Sequence, residues 1–173
     1  MNPVSETRAF LATRSLDDLV CDDFTVSDVD LWVTTPGESD GFNAVLNLVA
    51  RGDADYLNIR SPSGVPVTKC GVNYIEKPAV GVITQFDTRE GLRSLGLGRR
   101  LLVEAERRVV ARGFGTAELG VELENLRARS LYETLGYCFE GEAPSSWETV
   151  DPSGVRSVYR TTIAVLRKAL VTT

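Results

Sequence analysis

The sequence predicts a mixed α/β domain built on a central, largely antiparallel sheet flanked by helices. Three observations carry this reading. Strand-like and amphipathic helical runs follow one another as strand, helix, three strands, helix, strand, helix and closing strands. Several strand-like runs are joined by short turn sequences that suit hairpins. A glycine-bearing turn links the apolar run Val80 to Phe86 to the strongest helical pattern, a strand–turn–helix unit that brings in a few parallel neighbours.

Residues 1–18 show little periodicity and read as a loose arm or an edge element. Phe24 to Val33 alternates weakly and is predicted as a strand with a short turn at Ser27-Asp28. Thr34-Thr35-Pro36-Gly37-Glu38 is turn chemistry. It leads into a helix over Gly41 to Arg51, with Phe42, Val45, Leu46 and Val49 on one face and Gly52 as its stop. Ala54 to Arg60 and Val65 to Tyr74 are the arms of a hairpin around Ser61-Pro62-Ser63-Gly64. After the turn Glu76-Lys77-Pro78-Ala79 comes the apolar strand Val80 to Thr88.

The helix that begins near Gly98 carries Leu101, Leu102, Ala105 and Val109 as an apolar stripe and ends at Gly113. Thr116 to Glu122 alternates as a strand. Asn125 is a good N-cap for a helix over Leu126 to Leu135, stopped by Gly136. Tyr137 to Glu140 is a short strand. Trp147 to Val150 and Val155 to Leu166 close the chain as a hairpin around Asp151-Pro152-Ser153-Gly154. No repeat divides the 173 residues, which suit one domain, 1–173, with one sizeable core.

Composition narrows the chemistry. There is no histidine, which excludes a Ser-His-Asp or Cys-His nucleophile and the commonest metal ligand. Acid–base work falls to carboxylates, Tyr, Cys, Lys or water. Cys21, Cys70 and Cys138 are odd in number and far apart, so neither a disulfide framework nor a metal site is expected. Cys70 and Cys138 read as core or edge packing. A net charge of −5 argues against nucleic acid as a partner. No apolar run is long enough to span a membrane, and Met1 to Leu19 does not read as a signal peptide, so a cytoplasmic protein is expected.

The run Arg93-Ser94-Leu95-Gly96-Leu97-Gly98-Arg99 is the most informative stretch. A turn that opens a helix presents unpaired N–H groups and the positive end of the helix dipole, which suits a phosphate. Gly96 and Gly98 let the backbone approach it closely. Arg93, Arg99 or Arg100 add charge. A dinucleotide fingerprint fits poorly, because its third glycine position is Leu101 and the upstream strands are hairpin-like.

The segment Val80 to Tyr137 resembles the GNAT-type N-acetyltransferase superfamily. Arg93, Gly96 and Gly98 match the family's Arg/Gln-x-x-Gly-x-Gly/Ala loop. Asn125, Ala128, Leu131, Tyr132, Gly136 and Tyr137 match its Asn-x-x-Ala-x-x-Leu-Tyr-x-x-x-Gly-Phe/Tyr helix. The resemblance implies the GNAT fold, a splayed sheet, and acetyl-CoA as acetyl donor with no metal. It places the pyrophosphate on Arg93, Ser94, Leu95, Gly96, Leu97, Gly98 and Arg99. It places pantetheine along Phe86, Asp87 and Thr88, in a gap opposite Thr116 to Glu122. It gives Asn125 a cap and pantetheine role, and Tyr132 the part of acid toward the departing thiolate.

The implied activity is transfer of acetyl to a primary amine of a small molecule or peptide by direct attack in a ternary complex. A non-catalytic acyl-CoA sensor is the alternative, because the position where many relatives carry a glutamate is Val82 here. Asp87, Glu118 and Glu122 lie on the two splayed strands as carboxylates, with no one base selected. Trp32 and Trp147 are expected as ordinary buried aromatics, with lining of the acceptor pocket as the alternative. Family members often form homodimers, which leaves the oligomeric state open. Residues 1–50 match the family only loosely, and the acceptor is not named by the sequence.

Overall fold

The computed structural model describes residues 2–33, 39–151 and 153–171. Seven strands form one sheet in the order β1-β2-β3-β4-β5-β7-β6. They are β1 (Cys21–Asp23), β2 (Ala54–Arg60), β3 (Pro66–Lys77), β4 (Val80–Thr88), β5 (Thr116–Glu122), β6 (Cys138–Val150) and β7 (Arg156–Ala169). The helices are α1 (Pro3–Leu11), α2 (Val26–Trp32), α3 (Ser39–Ala50), α4 (Leu97–Ala111) and α5 (Leu126–Thr134). All neighbouring strands are antiparallel except β4 and β5. Among the described residues no helix is long and apolar enough to cross a membrane.

Successive side chains of β2 point to opposite faces, and two clusters follow. Leu57 and Ile59 join the main core with Leu97, Leu101, Leu102, Ala105 and Val109 of α4. The helical stripe read from the sequence is therefore the buried face, each fully buried leucine contributing about 2 kcal/mol. Tyr56 faces the other way and packs with Phe24, Val29 and Phe42, under α2 and α3.

Three sequence expectations give way. The first is the arm at 1–18. Asn2 caps a helix by accepting from the Val4 N–H at 2.9 Å, and Pro3 sits at its first position. That helix is tied down by Arg8, which donates to the Gly91 carbonyl at 3.0 Å. The second is the strand over Phe24 to Val33. Its greater part is helix α2, set by a capping box in which the Asp28 carboxylate accepts from the Thr25 N–H at 2.8 Å. Only Cys21–Asp23, just upstream, forms a strand. The third is the short strand at Tyr137 to Glu140 and the separate one at Trp147 to Val150. They belong to one long strand, β6, which passes through Pro144 because it lies at the sheet edge. The turn at Thr34 to Glu38 and Pro152 of the last turn lie outside the described residues.

β4 and β5 are paired only where Gly81, Val82 and Ile83 meet Ala117, Glu118 and Leu119. Beyond that seam β4 continues with β3 alone and β5 with β7 alone. A bulge accompanies the parting. Lys69 pairs with Asp87 and Gly71 with Thr84, so three steps on β4 answer two on β3, and Gln85 takes a φ of 50°.

Candidate active site

The parted strands open a cavity of about 1160 Å³. Its walls come from β4 (Phe86, Asp87, Thr88), from the turn before α4 (Arg93, Ser94, Gly96, Gly98, Arg99), from the end of β5 and from α5. The two sequence motifs, some thirty residues apart, thus meet around one space.

The turn is built for a helix entry. Gly96 is the N-cap of α4 with a φ of 86°, which a side chain would strain. Ser94 also has a positive φ, 66°, and its hydroxyl accepts from Arg127 Nη2 of α5 at 2.6 Å. Gly98 serves packing. A Cβ there would sit 3.4 Å from the Phe86 ring and 3.7 Å from Leu131. The first N–H groups of α4 have no partner within the helix. The side chains of Leu95 and Leu97 are not on the cavity wall. Leu97 is buried in the core and Leu95 is at the surface, so they offer only main chain.

The arginines separate into different tasks. Arg99 lines the cavity. Arg93 also lines it while bracing the end of β4, its Nε donating to the Thr88 carbonyl at 3.1 Å. Arg100 turns the other way and donates to the Leu19 carbonyl at 2.8 Å, which removes it from the expected charged set.

On β4, Asp87 accepts from the Thr88 N–H at 2.8 Å and pairs with Arg93 at 3.4 Å. The Asp87 carbonyl is occupied by the Thr68 hydroxyl at 2.9 Å. The bulge carbonyl of Gln85 accepts from Lys69 Nζ at 3.0 Å, and the Gln85 side chain is held by the Tyr56 phenol at 2.8 Å. These bonds fix a stretch of strand that lost its β5 partner.

Asn125 is the cap of α5, its Oδ1 accepting from the Ala128 N–H at 3.1 Å, and it lines the cavity. Tyr132, two turns further, reaches the same cavity while only 6% exposed. Burial pushes its phenol up to about 12, with the nearby acidic groups of Cys70 and Asp87 adding to the effect. It stays protonated throughout the neutral range.

Of the carboxylates on the splayed strands, Glu118 sits at the seam and is bound by Lys77 and by Arg167 at 2.6 Å. Burial pushes its carboxyl up, but those two hydrogen bonds outweigh it and hold the value below the ordinary range. Glu118 is a structural ion-pair residue. Val82 is likewise at the seam and buried. Glu122 lies past it and lines the cavity.

A second cavity, about 1360 Å³, adjoins the first across Phe86, Asp87, Thr88, Glu122, Trp147 and Glu148. Trp32 of α2 lines it between two cations, with Lys69 Nζ 5.1 Å and the Arg89 guanidinium 4.8 Å from its ring centre. Trp147 of β6 is 43% exposed and packs on Tyr159 of β7 at 4.9 Å. Both tryptophans are therefore wall residues, the alternative to ordinary core packing. Glu148, Asp40 and Arg156 complete this rim through ion pairs at 3.3 and 2.6 Å. No motif announces these residues. They come from α2, α3 and the last hairpin, and only the fold assembles them.

The family described as "Acetyltransferase (GNAT) family" matches residues 16–137. No curated protein matches the chain in sequence. Solved structures match it in fold. The ribosomal-protein-S18-alanine N-acetyltransferase from Escherichia coli superposes with a TM-score of 0.69 at 15% identity, over 90% of this chain and 96% of that one. A phosphinothricin acetyltransferase of the GNAT superfamily from Sinorhizobium meliloti, in complex with AcCoA, gives 0.66 at 14% identity over 88% of each chain. A Bacillus subtilis acetyltransferase in complex with CoA gives 0.64 at 15% identity over 88% and 98%.

Proposed function

The chain belongs to the acetyltransferase (GNAT) family, and on that premise we propose that it moves the acetyl group of acetyl-CoA onto a primary amine of a small molecule or peptide. The observation that carries this reading is the convergence of three features on one cavity: the parted β4 and β5, the N-terminus of α4 and the Tyr132 phenol.

The residues present suit the donor. The start of α4 carries about half a positive charge and free N–H groups, and Arg93 and Arg99 stand beside it for a pyrophosphate. Local charge of this kind outweighs a net −5 spread over the surface, because screening confines distant charges to about 10 Å. The β4 stretch Phe86 to Thr88 has no β5 partner, so an extended arm can lie along it as an added strand. The same main chain polarises the thioester carbonyl. Tyr132 donates its proton to sulfur as the C–S bond breaks, a role that its raised pKa suits, since the acid must still hold its proton at neutral pH. The amine reaches the thioester from the second cavity and attacks directly.

Two measurements test this. Calorimetry with acetyl-CoA must register a complex. Thiol release with a panel of primary amines must then show turnover. A complex with no thiol release from any amine would favour an acyl-CoA sensor instead.

A further inference from the structure

An alkyl ammonium has no lone pair, and at pH 7 fewer than about one molecule in a thousand is neutral if its pKa is near that of lysine. A transferase for such amines gains from a carboxylate where donor and acceptor meet. Three acidic side chains border both cavities: Asp87, Glu122 and Glu148. Two have cations. Asp87 is held by the Thr88 N–H and Arg93, and Glu148 by Arg156, which also binds Asp40. Glu122 has no cation among the described residues. Its Oε1 accepts from the Tyr159 phenol at 2.8 Å. That bond raises the Tyr159 pKa, so the phenol remains the donor and the carboxylate the acceptor.

Position agrees with this. β4 and β5 stop pairing at Ile83 and Leu119, so Glu122, three residues on, stands at the mouth of the gap, in register with Ile163 of β7. Tyr159 is anchored by Trp147, its cross-strand partner. On the donor side the cavity presents Arg93, Arg99 and Arg127.

We propose that Glu122 is the base that takes a proton from the incoming ammonium, and that Tyr159 is a positioning residue that holds its carboxylate. This rests on the acetyl-transfer reading above. One N–H proton of the ammonium passes to Glu122 and leaves to solvent after turnover. The freed lone pair forms the C–N bond, the C–S bond breaks, and the second proton lost by nitrogen replaces the one that Tyr132 gives to sulfur.

The test compares an alkyl primary amine with a hydrazide of matched shape, which is already neutral at pH 7. In Glu122→Gln, turnover of the alkyl amine at pH 7 falls by at least about 100-fold. It recovers about tenfold per pH unit as the free amine becomes abundant, while the hydrazide rate stays within about threefold of wild type, since no base is needed. Glu122→Asp restores part of the alkyl-amine rate, and Tyr159→Phe lowers kcat for the alkyl amine while sparing the hydrazide. Equal loss with both nucleophiles, or no loss with either, overturns the assignment. Wild-type protein that binds acetyl-CoA but releases no thiol with any amine would instead overturn the transfer reading itself.

Discussion

Tyr132 and Phe86 meet edge to face, with ring centres 6.1 Å apart and planes at 71°. The contact ties α5 to the stretch of β4 that has lost its parallel neighbour, and it aims the phenol into the cavity. Tyr132→Phe keeps the ring and the contact. It should lower kcat by roughly 100-fold and leave acetyl-CoA affinity unchanged. With the phenol at about 12 in wild type, no loss of activity below about pH 11 should trace to Tyr132. Steady-state kinetics with calorimetry on both proteins checks this. Equal weakening of binding and turnover would remove the assigned role.

Gly96 caps α4 at a φ of 86°, and a Cβ there would lie 3.2 Å from Leu16. Gly96→Ala should cost about 1–2 kcal/mol, read as a fall in melting temperature of roughly 2–8 °C. Acetyl-CoA affinity should fall as well, because the turn that aims the N–H groups is displaced. An unchanged melting temperature would show that the turn tolerates a side chain.

Glu118 joins Lys77 and Arg167 across three strands. Its folded pKa lies below the ordinary 4.5, so its contribution is present above that value and is lost as pH falls through the lower, folded one. Glu118→Gln should therefore lose roughly 1–3 kcal/mol at pH 7. The gap to wild type should close in acid, where wild type is also protonated. Denaturant titrations from neutral to acid pH measure the difference.

Asp28 is 3% exposed and joins the capping box of α2 to Arg60 of β2, with Nη1 at 2.6 Å. Asp28→Ala should cost roughly 3 kcal/mol, the low end for a broken buried pair because Asp22 still holds Arg60. Since α2 carries Trp32 into the second cavity, KM for the amine should rise more than KM for acetyl-CoA. A parallel rise in both would detach α2 from acceptor recognition.

The wall of the first cavity was legible because it is made from local backbone devices. A glycine N-cap, an Asn N-cap and an amphipathic stripe leave marks in consecutive residues, and α4, β5 and α5 lie close to where those marks put them. The rim of the second cavity left no such marks. Trp32, Asp40, Trp147 and Arg156 are more than a hundred residues apart at the extremes and are joined by tertiary packing alone. The misreading of Phe24 to Val33 had a different origin. There the alternation is weak, whereas the Thr25–Asp28 capping box lies in plain sequence and specifies a helix start. Asn2-Pro3 marks α1 in the same way. Arg100 is next to Arg99 in sequence, yet a step of 100° around the helix sends it to the Leu19 carbonyl.

Only three residues on each side stitch β4 to β5. The sheet is thus two stiff leaves sharing a narrow spine, and the amides beyond that spine are the natural place for it to breathe. A ligand arm laid between the leaves would act as mortar. Amide hydrogen exchange at Thr84–Thr88 and Gly120–Glu122 should slow together when acetyl-CoA is added, while the β6–β7 hairpin keeps its own pace.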